Sequence, residues 1–239
     1  MVDELTIIIP VFNEEDNLPI FFKELDNFFK ITPIVTQALF INDGSTDNSL
    51  EIMIENCQER QAYCTVLTLD GNYGLSTAIK AGIDHCTTSL IGYIDADLQT
   101  HPADFLAYLK FFPEHDMVNG IRQNRQDHLI KKISSKIANN YRRMMINDEI
   151  FDTCCPLKII KTSFAQQMPF FKGMHRFIPA LIQLQGGKVK QVPISHYPRY
   201  AGTSKYHFWN RLIGPFFDTL AFRWIRSRYI RYGVIPQNS

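Results

Sequence analysis

A short apolar run, Ser89 to Ile94, leads directly into Asp95-Ala96-Asp97-Leu98-Gln99. An apolar run of this length carrying Ile and Tyr reads as a strand buried in a parallel sheet. The carboxyl ends of such strands are where open α/β sheets bind ligands. Side chains alternate along a strand, so an extended backbone through this segment turns Asp95, Asp97 and Gln99 to one side. Three oxygen donors so placed suit Mg2+ or Mn2+, whose shell is commonly completed by water and a substrate diphosphate. The competing reading is a pair of solvated turn carboxylates, and the surrounding chain must decide between the two.

The elements that would position these residues are legible on either side. Leu5 to Pro10 predicts a buried strand stopped by proline, followed by a helix from about Asn17 to Lys30. Ala38 to Ile41 predicts the next strand, with Asn42 to Asp47 as a turn capping a helix that begins near Asn48. Thr65 to Leu69 is a third strand, and Gly71 to Ser76 leads into a helix from Thr77 to His85. The strand Ser89 to Ile94 comes fourth, and Met117 to Asn119 reads as another. Strand and helix alternate through the first hundred residues, which predicts a doubly wound, mostly parallel α/β sheet flanked by helices, with its functional loops on one edge. Neither G-x-G-x-x-G nor G-x-x-x-x-G-K-[ST] is present, so a dinucleotide or Walker site is excluded.

The chain of 239 residues fits one such domain with a tail. Five cysteines, an odd count without C-x-x-C spacing, predict a reduced compartment and no disulfide framework. The acidic start Met1 to Glu4 argues against a signal peptide, and no window holds about 18 uncharged apolar residues, so no transmembrane helix is expected. The net charge of +1 hides an asymmetry. Arg199, Lys205, Arg211, Arg223, Arg226, Arg228 and Arg231 face only Asp218, while the rest of the chain is net acidic. Such an end predicts an acidic partner.

Taken together, Ile8 to Glu14, Asn42 to Asp47, Asn72-Tyr73-Gly74 followed by Ala78 and Gly82, and Asp95 to Gln99 resemble, in order, the successive motifs of family-2 glycosyltransferases with the GT-A fold. The Asp-Ala-Asp-Leu-Gln form is similar to the branch that makes polyprenyl- and dolichol-phosphate sugars. His175 to Leu181, Val192 to Ile194 and His196 to Tyr206 resemble the same branch, so the likeness runs from about Leu5 to Tyr206. It implies a catalytic domain over residues 1–206 and an amphipathic helical tail over 207–239. Three departures stand out: Phe12 and Asn42 replace a frequent tyrosine and aspartate, and Pro156-Leu157 replace a glycine and an aromatic residue.

By this resemblance Pro10, Phe12, Glu14 and Asp43 line a nucleotide-sugar pocket, with Asp95 near the donor ribose and diphosphate. Turn chemistry and helix capping are the alternative for Glu14 and Asp43. Asp95, Asp97 and Gln99 would hold the metal. Arg122, Arg125, Ser204 and Lys205 would hold an acceptor phosphate, and Asp97, Arg122, Arg199 and Lys205 would carry catalysis. His175 and His196 are as well read as structural residues as substrate contacts.

The tail interleaves Phe208, Trp209, Phe216, Phe217, Leu220, Phe222 and Trp224 with arginines. That composition suits an anionic membrane surface, or alternatively packing on the domain or on a second subunit. Gly214-Pro215 is expected to split it into two helices. The resulting expectation is an inverting, metal-dependent hexosyltransferase, peripheral on the cytosolic membrane face. Its partners would be a nucleotide sugar (GDP-mannose or a UDP-hexose) and a polyprenyl monophosphate, with no nucleic acid; a homo-oligomer or a transmembrane partner stays open. Two alternatives are a soluble transferase acting on a saccharide or protein hydroxyl, with Asp152 as general base, and a noncatalytic nucleotide-sugar-binding protein.

Overall fold

The computed structural model describes residues 4–112, 114–123, 140–201 and 213–230. Its first half follows the alternation read from the sequence. Strand β1 (Glu4–Val11) leads into helix α1 (Leu18–Ile31), then β2 (Val35–Asn42), α2 (Ser49–Gln58), β3 (Cys64–Thr68), α3 (Leu75–His85) and β4 (Leu90–Tyr93). After β4 come a 3₁₀ turn (Pro102–Phe105), the short α4 (Leu106–Leu109), β5 (Met117–Arg122) and a helix α5 whose described residues are 140–146. The chain continues through β6 (Lys158–Lys161), α6 (Thr162–Gln166), a 3₁₀ turn (Met174–Arg176), α7 (Ile178–Leu184), β7 (Val189–Ile194) and α8 (Ile213–Arg228).

Seven strands form one sheet in the order β3-β2-β1-β4-β6-β5-β7. Among the described strands only β6 runs antiparallel to its neighbours. The chain builds outward from β1 through β2 to β3 and then returns to place β4 on the other side of β1. That reversal is the switch point at which a crevice opens beyond the carboxyl ends of the strands. Val11 pairs with Asn42 and Ile8 with Tyr93, so the segments following β1, β2 and β4 emerge along one edge.

Helices cover both faces of the sheet, and the alternation of β1 serves both. Leu5, Ile7, Ile9 and Val11 face one core with Phe21, Phe22, Leu25 and Phe28 of α1, whose apolar positions recur at helical spacing. Ile8 joins Leu39, Ile41, Ala78, Ile79 and Ile83 in the other. A Cβ on Gly82 would lie 2.6 Å from Ile8 Cγ2, so the absence of a side chain there lets α3 approach β1 closely.

Two expectations are corrected here. The strand before the carboxylates stops at Tyr93, and residues 96–97 form a turn, with Leu98 at a positive φ of 60°. The extended alternation invoked for Asp95, Asp97 and Gln99 therefore does not continue through them. Cys57 and Cys64 form a disulfide, because the turn between α2 and β3 brings their Cα atoms to 5.0 Å, well within disulfide reach. The cysteine argument for a reduced compartment loses its footing. In the tail, α8 spans Ile213–Arg228 with Gly214 and Pro215 in its first turn, and the helix expected before them lies outside the described residues.

Helix α8 also packs on the domain. Phe222 is buried and stacks on Phe177 with ring centroids 5.1 Å apart, and Asp218 pairs with Arg176 at 3.0 Å. Among the described residues no helix is long and apolar enough to cross a membrane.

Candidate active site

The loops after β1 and β2 close on each other. Asn13, held at a positive φ of 54°, accepts the Thr46 N–H on its Oδ1 at 2.7 Å and donates from Nδ2 to Thr46 Oγ1 at 3.2 Å. The Glu14 N–H donates to Ser49 Oγ at 2.8 Å, and Glu15 accepts the Asn48 N–H at 3.0 Å. These bonds join the Pro10–Glu14 and Asn42–Asp47 segments into one cradle at the switch point. Pro10, Phe12 and Glu14 sit in it half-buried.

Asp43 fastens a third loop to the cradle. Its Oδ1 accepts the Tyr73 N–H at 2.8 Å and its Oδ2 the Gly74 N–H at 2.9 Å. Burial raises its pKa, and the two N–H bonds work against that rise. Gly44, at φ 67°, lies so close to this loop that a Cβ would come within 2.6 Å of the Gly71 carbonyl carbon. Asp43 thus shapes the floor of the crevice through the loop it holds, which is the turn role weighed for it above.

Beyond β4 the carboxylates separate into two environments. Asp95 Oδ1 accepts the Tyr93 hydroxyl at 2.7 Å, and burial together with the nearby Asp97 raises its pKa. Asp97, only 5% exposed, accepts the Gln99 N–H on Oδ1 at 3.1 Å. Its Oδ2 takes the Arg199 guanidinium at 2.8 Å, and the same guanidinium lies 3.6 Å from Glu14 Oε1. Among the described residues no three His, Cys, Asp or Glu side chains make a ready-made cation site. The neighbouring carboxylates of Asp95 and Asp97 are oxygen donors of the kind a Mg2+ or Mn2+ ion takes, with water and phosphate supplying its remaining ligands.

Arg122, at the end of β5, is fixed by a fork. Its Nε and Nη2 donate to the two carboxylate oxygens of Asp152 at 2.8 Å each, and its backbone N–H adds a bond at 3.2 Å. Burial works against both charges, yet the pairing outweighs it: the Arg122 pKa is raised, and Asp152 is held below the usual carboxylate range. A carboxylate so engaged is a poor proton acceptor, which argues against Asp152 as a general base. Beneath it Lys158, 1% exposed, donates to the carbonyls of Thr153 and Cys155, and burial lowers its pKa. Lys158 therefore braces the 152–156 turn that presents Asp152. Sequence reasoning gave no role to Tyr93 or Asn17.

His175 resolves toward a structural role. Ser76 Oγ accepts the Gly173 N–H at 3.1 Å and shares a hydrogen bond with His175 Nδ1 at 2.8 Å. Burial, with Arg176 and Lys158 nearby, pushes the His175 pKa down to about 3. The unfolded chain takes up this proton near pH 6.5 and the folded one does not, so the contribution to stability is complete above that pH and is lost as pH falls. Between pH 7 and 5 the wild type should lose about 1–2 kcal/mol more than His175→Asn in paired denaturation curves. Parallel losses in the two proteins would contradict this. His196 is buried. Arg125, Ser204 and Lys205, expected at an acceptor phosphate, lie outside the described residues.

A doubly wound sheet with paired carboxylates at its switch point defines a GT-A-like α/β protein, and solved structures agree. A mannosyl-3-phosphoglycerate synthase from Rubrobacter xylanophilus superposes with TM-score 0.73 at 15% identity, covering 98% of this chain and 79% of that one. The mannosyltransferase PcManGT from Pyrobaculum calidifontis, solved with GDP-Man and Mn2+, gives 0.67 at 16% identity over 98% of this chain and 66% of its own. The chain belongs to Glycosyl transferase family 2, whose profile matches residues 6–168. Undecaprenyl-phosphate 4-deoxy-4-formamido-L-arabinose transferases from Salmonella choleraesuis and Salmonella typhimurium are each 32% identical over 218 residues. That match covers 91% of this chain, and the chain spans 66% of the length of these curated relatives, just under two thirds.

Proposed function

We propose that this chain transfers one sugar, with inversion, from a nucleoside-diphosphate sugar to a polyprenyl monophosphate. The observation that carries the reading is the state of Asp152, whose carboxylate is locked by Arg122 and kept acidic. A saccharide or protein hydroxyl must give up a proton to become a nucleophile, whereas a phosphate monoester is already ionised near neutral pH. The relatives named for undecaprenyl phosphate support the same acceptor class.

In this reading the cradle of Pro10, Phe12 and Glu14 receives the nucleoside, and the loop held by Asp43 closes its floor. Asp95, Asp97 and Gln99 would hold a Mg2+ or Mn2+ ion, and such an ion would offset the charge developing on the departing diphosphate. Arg122 is rigidly aimed, and two of its five donor hydrogens are engaged by Asp152. The remaining face is free to orient an anionic acceptor against the anomeric carbon. Arg125, Ser204 and Lys205 would complete the acceptor phosphate site. GDP-mannose is the first donor to test, with UDP-hexoses next.

The outer side of α8 gives this substrate class a surface to come from. Phe216, Phe217, Leu220 and Trp224 are exposed on α8, the last at 64%. Arg228 is exposed beside them, while Arg223 and Arg226 reach back to Met145 Sδ and the Ile146 carbonyl of α5. Exposed rings interleaved with arginines suit an anionic bilayer interface, while Phe222 secures the opposite face to the domain. The protein should float with liposomes containing phosphatidylglycerol, and the double variant Phe217→Ser, Trp224→Ser should remain in the soluble fraction. Release of nucleoside diphosphate should rise with polyprenyl phosphate and not with soluble saccharide or peptide acceptors. The opposite acceptor preference, together with no flotation, would favour the soluble transferase.

A further inference from the structure

The segment 197–201 bridges the loops after β4 and β1 through three of its residues. The Tyr197 N–H donates to the Gln99 carbonyl at 3.0 Å. Arg199 reaches Asp97 at 2.8 Å and Glu14 at 3.6 Å. The Ala201 N–H donates to Asn17 Oδ1 at 3.2 Å, and Asn17 Nδ2 points back to the Ala201 carbonyl at 3.4 Å.

Asn17 is the residue just before α1, where an asparagine side chain ordinarily caps the first turn. Here it makes no side-chain cap bond. Only 1% exposed, it grips Ala201 on one side and, through Nδ2, Glu14 Oε2 at 2.6 Å on the other. The side chain is thus diverted from the helix to the bridging segment.

Resting on the transferase reading, we infer that Arg199 is a tethered counter-ion of Asp97 that competes with the divalent metal, and that Asn17 is the positioning residue anchoring its tether. Arg199 occupies the Asp97 oxygen that a metal would need, and two cations on one carboxylate oxygen repel each other. Metal arrival therefore has to displace the guanidinium, and the held Ala201 keeps it at the site, where an anionic substrate can receive it. Without a metal, the same contact keeps Asp97 from standing unpaired in a largely buried position, which would be costly.

The test is Mn2+ binding without nucleotide, followed by electron paramagnetic resonance of the free ion, on the wild type, Arg199→Gln, Arg199→Lys and Asn17→Ala. Thermal melts would confirm that each is folded. Arg199→Gln should bind Mn2+ about 5- to 10-fold more tightly than wild type, a partly exposed ion pair having been removed. Arg199→Lys should stay within about 2-fold of wild type, and Asn17→Ala should fall between, because its guanidinium is kept but its tether is loosened. Equal affinity in all four, or weaker binding by Arg199→Gln, would overturn the counter-ion role and leave the transferase reading standing. No Mn2+ binding by any of them would overturn both this inference and the metal assignment.

Discussion

Asp97→Asn is expected to lower sugar transfer by about 10²- to 10³-fold, the range seen when a preorganised charge-stabilising group is removed from an active site. The substitution keeps the shape of the side chain and the Oδ1 that accepts the Gln99 N–H at 3.1 Å. It removes the negative charge that now holds Arg199 at 2.8 Å and that would hold a metal beside the donor diphosphate. The loss should fall on kcat, with a melting temperature close to wild type, since the Arg199 pair is partly exposed and such pairs contribute little to stability. Near-normal turnover in a folded Asp97→Asn protein would remove Asp97 from the metal site.

The largest effect on folding should come from Asp152→Ala. Asp152 is buried and receives three hydrogen bonds from Arg122. Its loss leaves a guanidinium uncompensated in a poorly hydrated place, which costs about 3–5 kcal/mol. In a chain of this size that corresponds to a fall in melting temperature of roughly 10 °C. Arg122→Ala should cost a similar amount, and the double variant should cost less than the sum, because each single change strands the other charge. Additive losses in that thermodynamic cycle would mean that the fork contributes nothing as a pair. The sign with pH follows from the lowered Asp152 pKa. Its contribution is complete above the unfolded carboxylate value and is lost as pH falls through the folded one.

Much of the site-bearing half of the fold was legible because its signals are local. Apolar runs ended by Asn42-Asp43-Gly44 and by Asp95 mark strand ends, and Phe21, Phe22, Leu25 and Phe28 mark the buried face of α1. Strand β1 runs through Pro10 to Val11, past the proline expected to stop it. What escaped depends on contacts distant in sequence or on a single backbone angle. Nothing before Leu98 announces its positive φ, so the turn through Asp97 read as extended chain. The antiparallel insertion of β6 between β4 and β5 is a pairing choice that no short window contains. Asn17 reads as an ordinary helix-start residue until Ala201, 184 residues later, is brought against it. Arg122 and Asp152 were each singled out for separate jobs, and only the fold reveals that they hold one another.

The most direct test of the account is transfer of radiolabel from a panel of GDP- and UDP-sugars, with Mn2+ or Mg2+, into organic-extractable polyprenyl phosphate. Label should enter the lipid phase with at least one donor and be abolished by EDTA and by Asp97→Asn. Label confined to the aqueous phase, or no turnover with any donor while nucleotide still binds, would contradict the proposed function.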